Sequence, residues 1–187
     1  SLRHTIVVAT RQSESILSSG RILDEDKITR ALNNAQNLGA EYAEIRLVSE
    51  TTNTASLKDG KLERAIPGQE VGVTMRILAD GAWGVHSTSD IDSIIDQVEP
   101  TYRLAKAVAA RRSPSQPAVG LAEVPVIEDE LHWRSVKDVR DTSLDTRIEL
   151  MLAIDNEAKD HENIVSTSTG WSDEHIHTEL MTTEGMN

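Results

Sequence analysis

An α+β fold, with a mixed, largely antiparallel sheet built from hairpins and amphipathic helices packed on one face, is predicted by three features of the sequence. Two Asp-Gly pairs, Asp59-Gly60 and Asp80-Gly81, each separate β-prone runs. Apolar residues recur at helical spacing on both sides of that region, from Ile28 to Leu38 and from Ile91 to Ala109. Consecutive hairpins flanked by single-faced helices imply one sheet with its helices on the same side.

The first helix begins at Asp24, whose carboxylate suits the free amides of a helix start. Glu25 and Asp26 complement the positive end of the dipole. Ile28, Ala31, Leu32, Ala35 and Leu38 form its buried stripe, and Gly39 supplies the stop. Ala43, Ile45 and Leu47 then alternate with Glu44 and Arg46, a strand with one face in the core and one in solvent.

Two hairpins follow. The first joins Thr52–Lys58 to Lys61–Ile66, and the second joins Val71–Leu78 to Ala82–Thr88. Ser89 with Asp92 reads as a capping pair for a helix whose stripe runs through Ile91, Ile94, Ile95, Val98, Tyr102, Ala105 and Ala109. Pro100 predicts a kink or two abutting helices.

Pro114, Pro117, Gly120 and Pro125 mark an extended connector. Thr142 and Asp145 read as the cap of a third helix carrying Leu144, Ile148, Met151, Leu152 and Ala158. Ile164–Thr169 and His175–Met181 read as a last hairpin around Gly170 to Asp173. The organisation expected is a leader-like or tag-like segment, 1–23, and one domain, 24–187, made of 24–112, the connector 113–127, and 128–187. The opening Ser1 and the segment Thr183 to Asn187 read as the ends of a fragment.

Composition narrows the function. Lys and Arg number 19 against 31 Asp and Glu, giving a net charge of −12, which disfavours direct binding to nucleic acid. Acidic runs such as Glu128-Asp129-Glu130 and Asp155 to Glu162 read as solvated faces. The absence of Cys excludes disulfides, thiolate metal sites and thiol nucleophiles. No apolar run approaches the roughly 20 residues of a membrane span, so a cytoplasmic protein without membrane partners is expected.

His175, His177 and Glu179 form a metal-like cluster, because residues two apart on a strand project from one face and would offer zinc two imidazoles and a carboxylate. A solvated strand face gives the same spacing. Trp83, between Gly81 and Gly84, reads either as a cap on the core edge or as a rim residue touching a peptide or a partner. The sequence holds no Gly-x-Ser-x-Gly elbow, phosphate loop, dinucleotide fingerprint or helical His-Glu metal motif, so no catalytic residue is assigned. The Thr-rich run from Thr51 to Ile66 reads as sheet edge open to an extended peptide.

Three segments carry a family resemblance: Gly39 to Arg46 (GAEYAEIR), Leu57 to Glu63 (LKDGKLE), and Gly72 to Gly84 (GVTMRILADGAWG), followed by a helix. Their order and spacing resemble the N-terminal domain of the TldD/PmbA family, also called modulators of DNA gyrase, over roughly Asp24 to Gly185. Asp80-Gly81-Ala82-Trp83-Gly84 looks closer to the TldD branch. Thr182-Thr183-Glu184-Gly185 is similar to the segment that ends this domain in relatives.

The resemblance implies a zinc-dependent peptidase acting on unfolded peptides, assembled as a homo- or heterodimer of two-domain subunits around a channel. Its His-Glu-x-x-x-His motif, and with it the zinc, would lie in a second domain outside this sequence. This segment would then be the non-catalytic part, shaping the channel and the subunit interface. The alternative is a non-catalytic adaptor or paralogue that binds partners without proteolysis.

Overall fold

The computed structural model describes residues 22–123, 125, 129, 131 and 136–184. The leader-like segment up to residue 21, with Glu128, Glu130 and Gly185, lies outside the described residues. Elements follow in the order α1 (Glu25–Asn37), β1 (Tyr42–Lys58), β2 (Lys61–Ala79), β3 (Ala82–Thr88), a 3₁₀ turn (Asp92–Gln97), α2 (Val98–Ala110), a second 3₁₀ turn (Val139–Asp141), α3 (Leu144–Lys159) and β4 (Ser168–Thr182). Among the described residues the strands form one antiparallel sheet, ordered β3-β2-β1-β4.

Both Asp-Gly pairs are tight reversals. Asp59 and Gly60 have φ of 50° and 76°, and Asp80 and Gly81 have 51° and 67°, the doubly positive pattern of a type I′ turn. The strands that they join are longer than the sequence suggests. β1 runs 17 residues without a break where two segments, around Ala43–Leu47 and Thr52–Lys58, were expected. β2 runs 19 residues through Pro67 and Gly68.

Pro67 is tolerated because β3 pairs only with Val73–Ala79, which leaves the first part of β2 as an edge that does not require every amide. Gly170 to Asp173 are likewise not a turn. They lie inside β4, which pairs with β1 along its length, so the expected last hairpin is one strand of 15 residues.

α1 is capped by Asp24, whose carboxylate accepts from the Lys27 amide at 3.1 Å, and it buries Ile28, Ala31, Leu32 and Ala35. The other two caps each sit one residue from their expected position. Asp90, not Ser89, accepts from the Ser93 amide ahead of the first 3₁₀ turn. Ser143, not Thr142, caps α3, because its backbone is extended (ψ 154°) and its hydroxyl accepts from the Thr146 amide. The 3₁₀ turn abuts α2, and Pro100 is its third residue, in the first turn where no intrahelical donor is needed.

Two apolar clusters lie on one face of the sheet. α1, α2 and the first 3₁₀ turn cover Ala43, Ile45, Leu47, Val73, Met75 and Ile77 at one end. α3 covers Ala55 and Leu57 at the other, through Met151, Leu144 and Leu152. Leu23, within the segment read as a leader, is buried in the first cluster, and Ile22 packs against it.

α2 approaches the sheet at Gly84, where an added Cβ would stand 2.1 Å from the Thr101 carbonyl oxygen. α3 is held by Arg147, whose guanidinium is 3.0 Å from the Asp173 carboxylate, donates to the Val139 carbonyl and lies 5.9 Å from the Trp171 ring centroid. Arg147 and Asp173 have side chains only 4% and 6% exposed, so removing either strands the other's charge.

Two stability predictions follow from these contacts. Gly84→Ala forces α2 off the sheet and lowers unfolding free energy by about 2–3 kcal/mol. Arg147→Ala lowers it by about 3–4 kcal/mol. Urea unfolding followed by circular dichroism measures both, and a loss below about 1 kcal/mol for either refutes the contact assigned to it.

Candidate functional site

Trp83 stands on the sheet face opposite the helix-packed clusters, in register with Leu78 and, across it, Tyr42. The Tyr42 ring meets it edge-on, with centroids 5.9 Å apart and planes at 88°, and the Arg76 guanidinium lies 5.0 Å from the Trp83 centroid. Arg76 Nε donates to Glu44 at 2.6 Å, and the Tyr42 hydroxyl donates to the other Glu44 oxygen at 2.9 Å. Burial raises the Glu44 carboxyl, but the bonds from Arg76 and Tyr42 outweigh it and hold the group below its ordinary range. Burial, then Glu44, pushes the Tyr42 phenol up to about 12.

The sequence pattern made Glu44 part of a solvated face. It is only 7% exposed, because Tyr42 and Arg76 enclose it. Its signal was the cross-strand pairing of an acid with a base, which becomes visible only once the register is known.

Trp83 also lines a concavity of about 640 Å³ with Val108, Arg111, Arg112, Pro117 and Val119. Arg112 anchors its floor by donating to the Asp80 and Gly81 carbonyls, each at 2.9 Å, while the Val119 amide donates to the Gly81 carbonyl. The Trp83 ring lies against Arg76 and forms a wall of a groove between the second turn and the connector.

His175, His177 and Glu179 point to the helix-covered side of β4, in register with Thr51, Ser49 and Leu47. His177 Nε2 and Glu179 are brought together at 2.8 Å. Both Glu179 oxygens also accept backbone amides, from Ile22 and Leu23, so this carboxylate anchors the chain entering α1. His175 faces the second 3₁₀ turn, where Asp138 and Arg140 pair. Among the described residues no group of three His, Asp or Glu side chains is placed to hold a metal ion, so no zinc chemistry is derived from this segment.

The polar residues here fill the gap between the two apolar clusters. Ser49 is buried, and Asn53 donates to Asp173 at 3.0 Å. The sequence pattern conceals both Arg147 and Asp173: Arg147 because a charge inside a helical stripe resembles an interruption of it, and Asp173 because it sits in a stretch of turn composition.

β1 is paired on both sides from Glu44 to Lys58, so Thr51–Lys58 is interior and not the peptide-accepting edge expected there. Among the described residues β2 from Lys61 to Gly72, beyond the reach of β3, has an open edge, as do the outer sides of β3 and β4. Among the described residues no helix is long and apolar enough to cross a membrane.

Burial lowers the His175 imidazole from its ordinary value; Arg140 and His177 push the same way, and Asp138 opposes them. The unfolded chain therefore takes up this proton before the folded one as pH falls. The stabilisation is complete above the ordinary histidine value of about 6.5 and is lost below it. His175→Gln is expected to shrink the drop in urea midpoint between about pH 7.5 and about pH 5.5, and an unchanged drop refutes the role.

Residues 43–111 match the family model described as PmbA/TldA metallopeptidase domain 1. A metalloprotease from Methanocaldococcus jannaschii is 28% identical over 139 residues, 71% of this chain and 29% of that protein. The fold is shared with crystal structures described as modulators of DNA gyrase. That from Thermotoga maritima gives a TM-score of 0.61 at 16% identity, over 86% of this chain and 35% of that one. That from Bacteroides thetaiotaomicron gives 0.62 at 20%, over 88% and 38%. The chain thus spans about a third of the length of the relatives that it matches. These matches do not separate the TldD branch from the PmbA branch. Over residues 43–111 the chain is thus similar to the first domain of PmbA/TldD metallopeptidases, and the fold of its described residues is that of the two crystal structures.

Proposed function

We propose that this domain is the non-catalytic part of a zinc-dependent peptidase of the TldD type that acts on unfolded peptides, shaping the substrate channel and the interface of a cytoplasmic dimer. The metallopeptidase family match and the metalloprotease relative support the reaction class. The observation that carries the substrate class is the open β2 edge: from Lys61 to Gly72 its outer main-chain groups have no strand partner among the described residues. An extended peptide adds to such an edge through main-chain hydrogen bonds and therefore with little regard for sequence. The zinc, in this reading, is held by a domain that follows this one. The alternative, a paralogue that binds partners without proteolysis, shares every residue described here.

Pro67 sets the parity of the edge. A proline is accommodated where its amide position faces away from the ladder, so residues two further along, beginning with Gln69, also turn their amides outward. The test uses the longer gene product that includes residues after Asn187, with a reduced, alkylated polypeptide as substrate. Cleavage is expected to cease with a zinc chelator and to return with zinc. Gln69→Pro is expected to raise KM about tenfold with little change in kcat, the mark of lost uniform binding. Cleavage that ignores the chelator overturns the zinc peptidase, absence of cleavage under all conditions selects the paralogue, and an unchanged KM overturns the edge alone.

A further inference from the structure

α3 carries apolar residues on two sides, with Met151, Leu144 and Leu152 packed on the sheet. Its buried stripe is Arg147, Met151 and Asp155, while Leu150 and Ile154, on the outward side, are 49% and 54% exposed. Asp155 is fully buried, its Oδ1 accepting from Thr169 at 3.2 Å and its Oδ2 lying 3.0 Å from the Lys159 ammonium, so the inward charges are tied to β4 and to the end of α3 itself. A surface helix ordinarily turns its Leu and Ile to the core. Here Leu150 and Ile154 form a second apolar face that looks outward and continues into a concavity of about 600 Å³, which Ala153, Ile154, Ala158 and Ile164 line with Glu157 and His161.

We infer that this face of α3 docks a helix of a separate polypeptide, one with an apolar stripe flanked by Lys and Arg. Charge supplies the sign. The exposed charged side chains of α3 and the turn after it are Asp145, Glu149, Glu157, Asp160 and Glu162, all acidic; Arg147 is buried, and Lys159 is drawn down onto Asp155. A second copy of this chain would set acid against acid, and an anionic lipid or nucleic acid would be repelled. The inference needs neither the metal nor the β2 edge, so it stands apart from the peptidase reading.

The experiment is fluorescence anisotropy of the 187-residue chain with a labelled helical peptide bearing a Leu stripe flanked by Lys. One control peptide has Glu in place of Lys, and a second has the same Lys content with the stripe scrambled. The Lys-flanked peptide is expected to bind one to one and at least about tenfold more tightly than either control. Leu150→Gln with Ile154→Gln should weaken it at least about tenfold, whereas Val85→Gln with Ile176→Gln, away from α3, should change it by less than about twofold. Glu149→Lys with Glu157→Lys should shift preference towards the Glu-flanked peptide. No saturable binding, equal binding of the scrambled peptide, or indifference to the Leu150 and Ile154 substitutions overturns the inference. A dimer in sedimentation equilibrium that these two substitutions dissociate also overturns it, in favour of a second copy.

Discussion

The fold depends on the register of β1. This strand runs 17 residues, a length of about 56 Å, is flanked on both sides from Glu44 to Lys58, and alternates its side chains between faces without interruption. A slip of one residue would move Ile45, Leu47, Ala55 and Leu57 together out of the apolar layer, so the two distant clusters stand or fall as one. A strand this long outruns any single helical cover. α1 with α2 takes one end and α3 the other, and the stretch between them is the place where Ser49, Thr51 and Asn53 meet His177, His175 and Asp173.

That gap explains what the sequence revealed and what it concealed. The reversals at Asp59-Gly60 and Asp80-Gly81 were legible because positive φ at two successive positions is a local demand that few residue pairs meet. The stripe of α1 and the cap at Asp24 were legible for the same reason, since both are settled within four residues. The continuity of β1 was not. Around Ser49 to Asn53 both faces are polar, so the period of 2 vanishes although the strand does not. Gly170 to Asp173 has turn composition but is held extended by partners far away in sequence: Trp171 by Arg147, and Asp173 by Arg147 and Asn53. Composition records local preference, and here tertiary pairing overrides it.

The first hairpin and α3 brace each other. Asp59 accepts from the Ser166 hydroxyl and the Thr167 amide, and its own amide donates to the Thr167 carbonyl, tying the turn to the segment that enters β4. The backbone hydrogen bond to Thr167, then that from Ser166, holds the Asp59 carboxyl below its ordinary range. Asp59 therefore serves twice, as the first residue of a tight turn and as the clamp that fixes where β4 begins. At the other end of the sheet Trp83 is comparably double: it covers the Glu44–Arg76 pair and walls a groove.

Buried ion pairs add little net stability, because the cost of removing both charges from water offsets most of their attraction. What Arg147 and Asp155 contribute is position. An apolar helix face could slide along Ala55 and Leu57 at small cost, whereas Arg147 must reach Asp173 and Asp155 must reach Thr169, two points fixed on β4 by its pairing with β1. The consequence is geometric. With its charges committed to the sheet, α3 presents Leu150 and Ile154 outward at one defined height and rotation, which is the condition that a docking surface has to satisfy before affinity becomes possible.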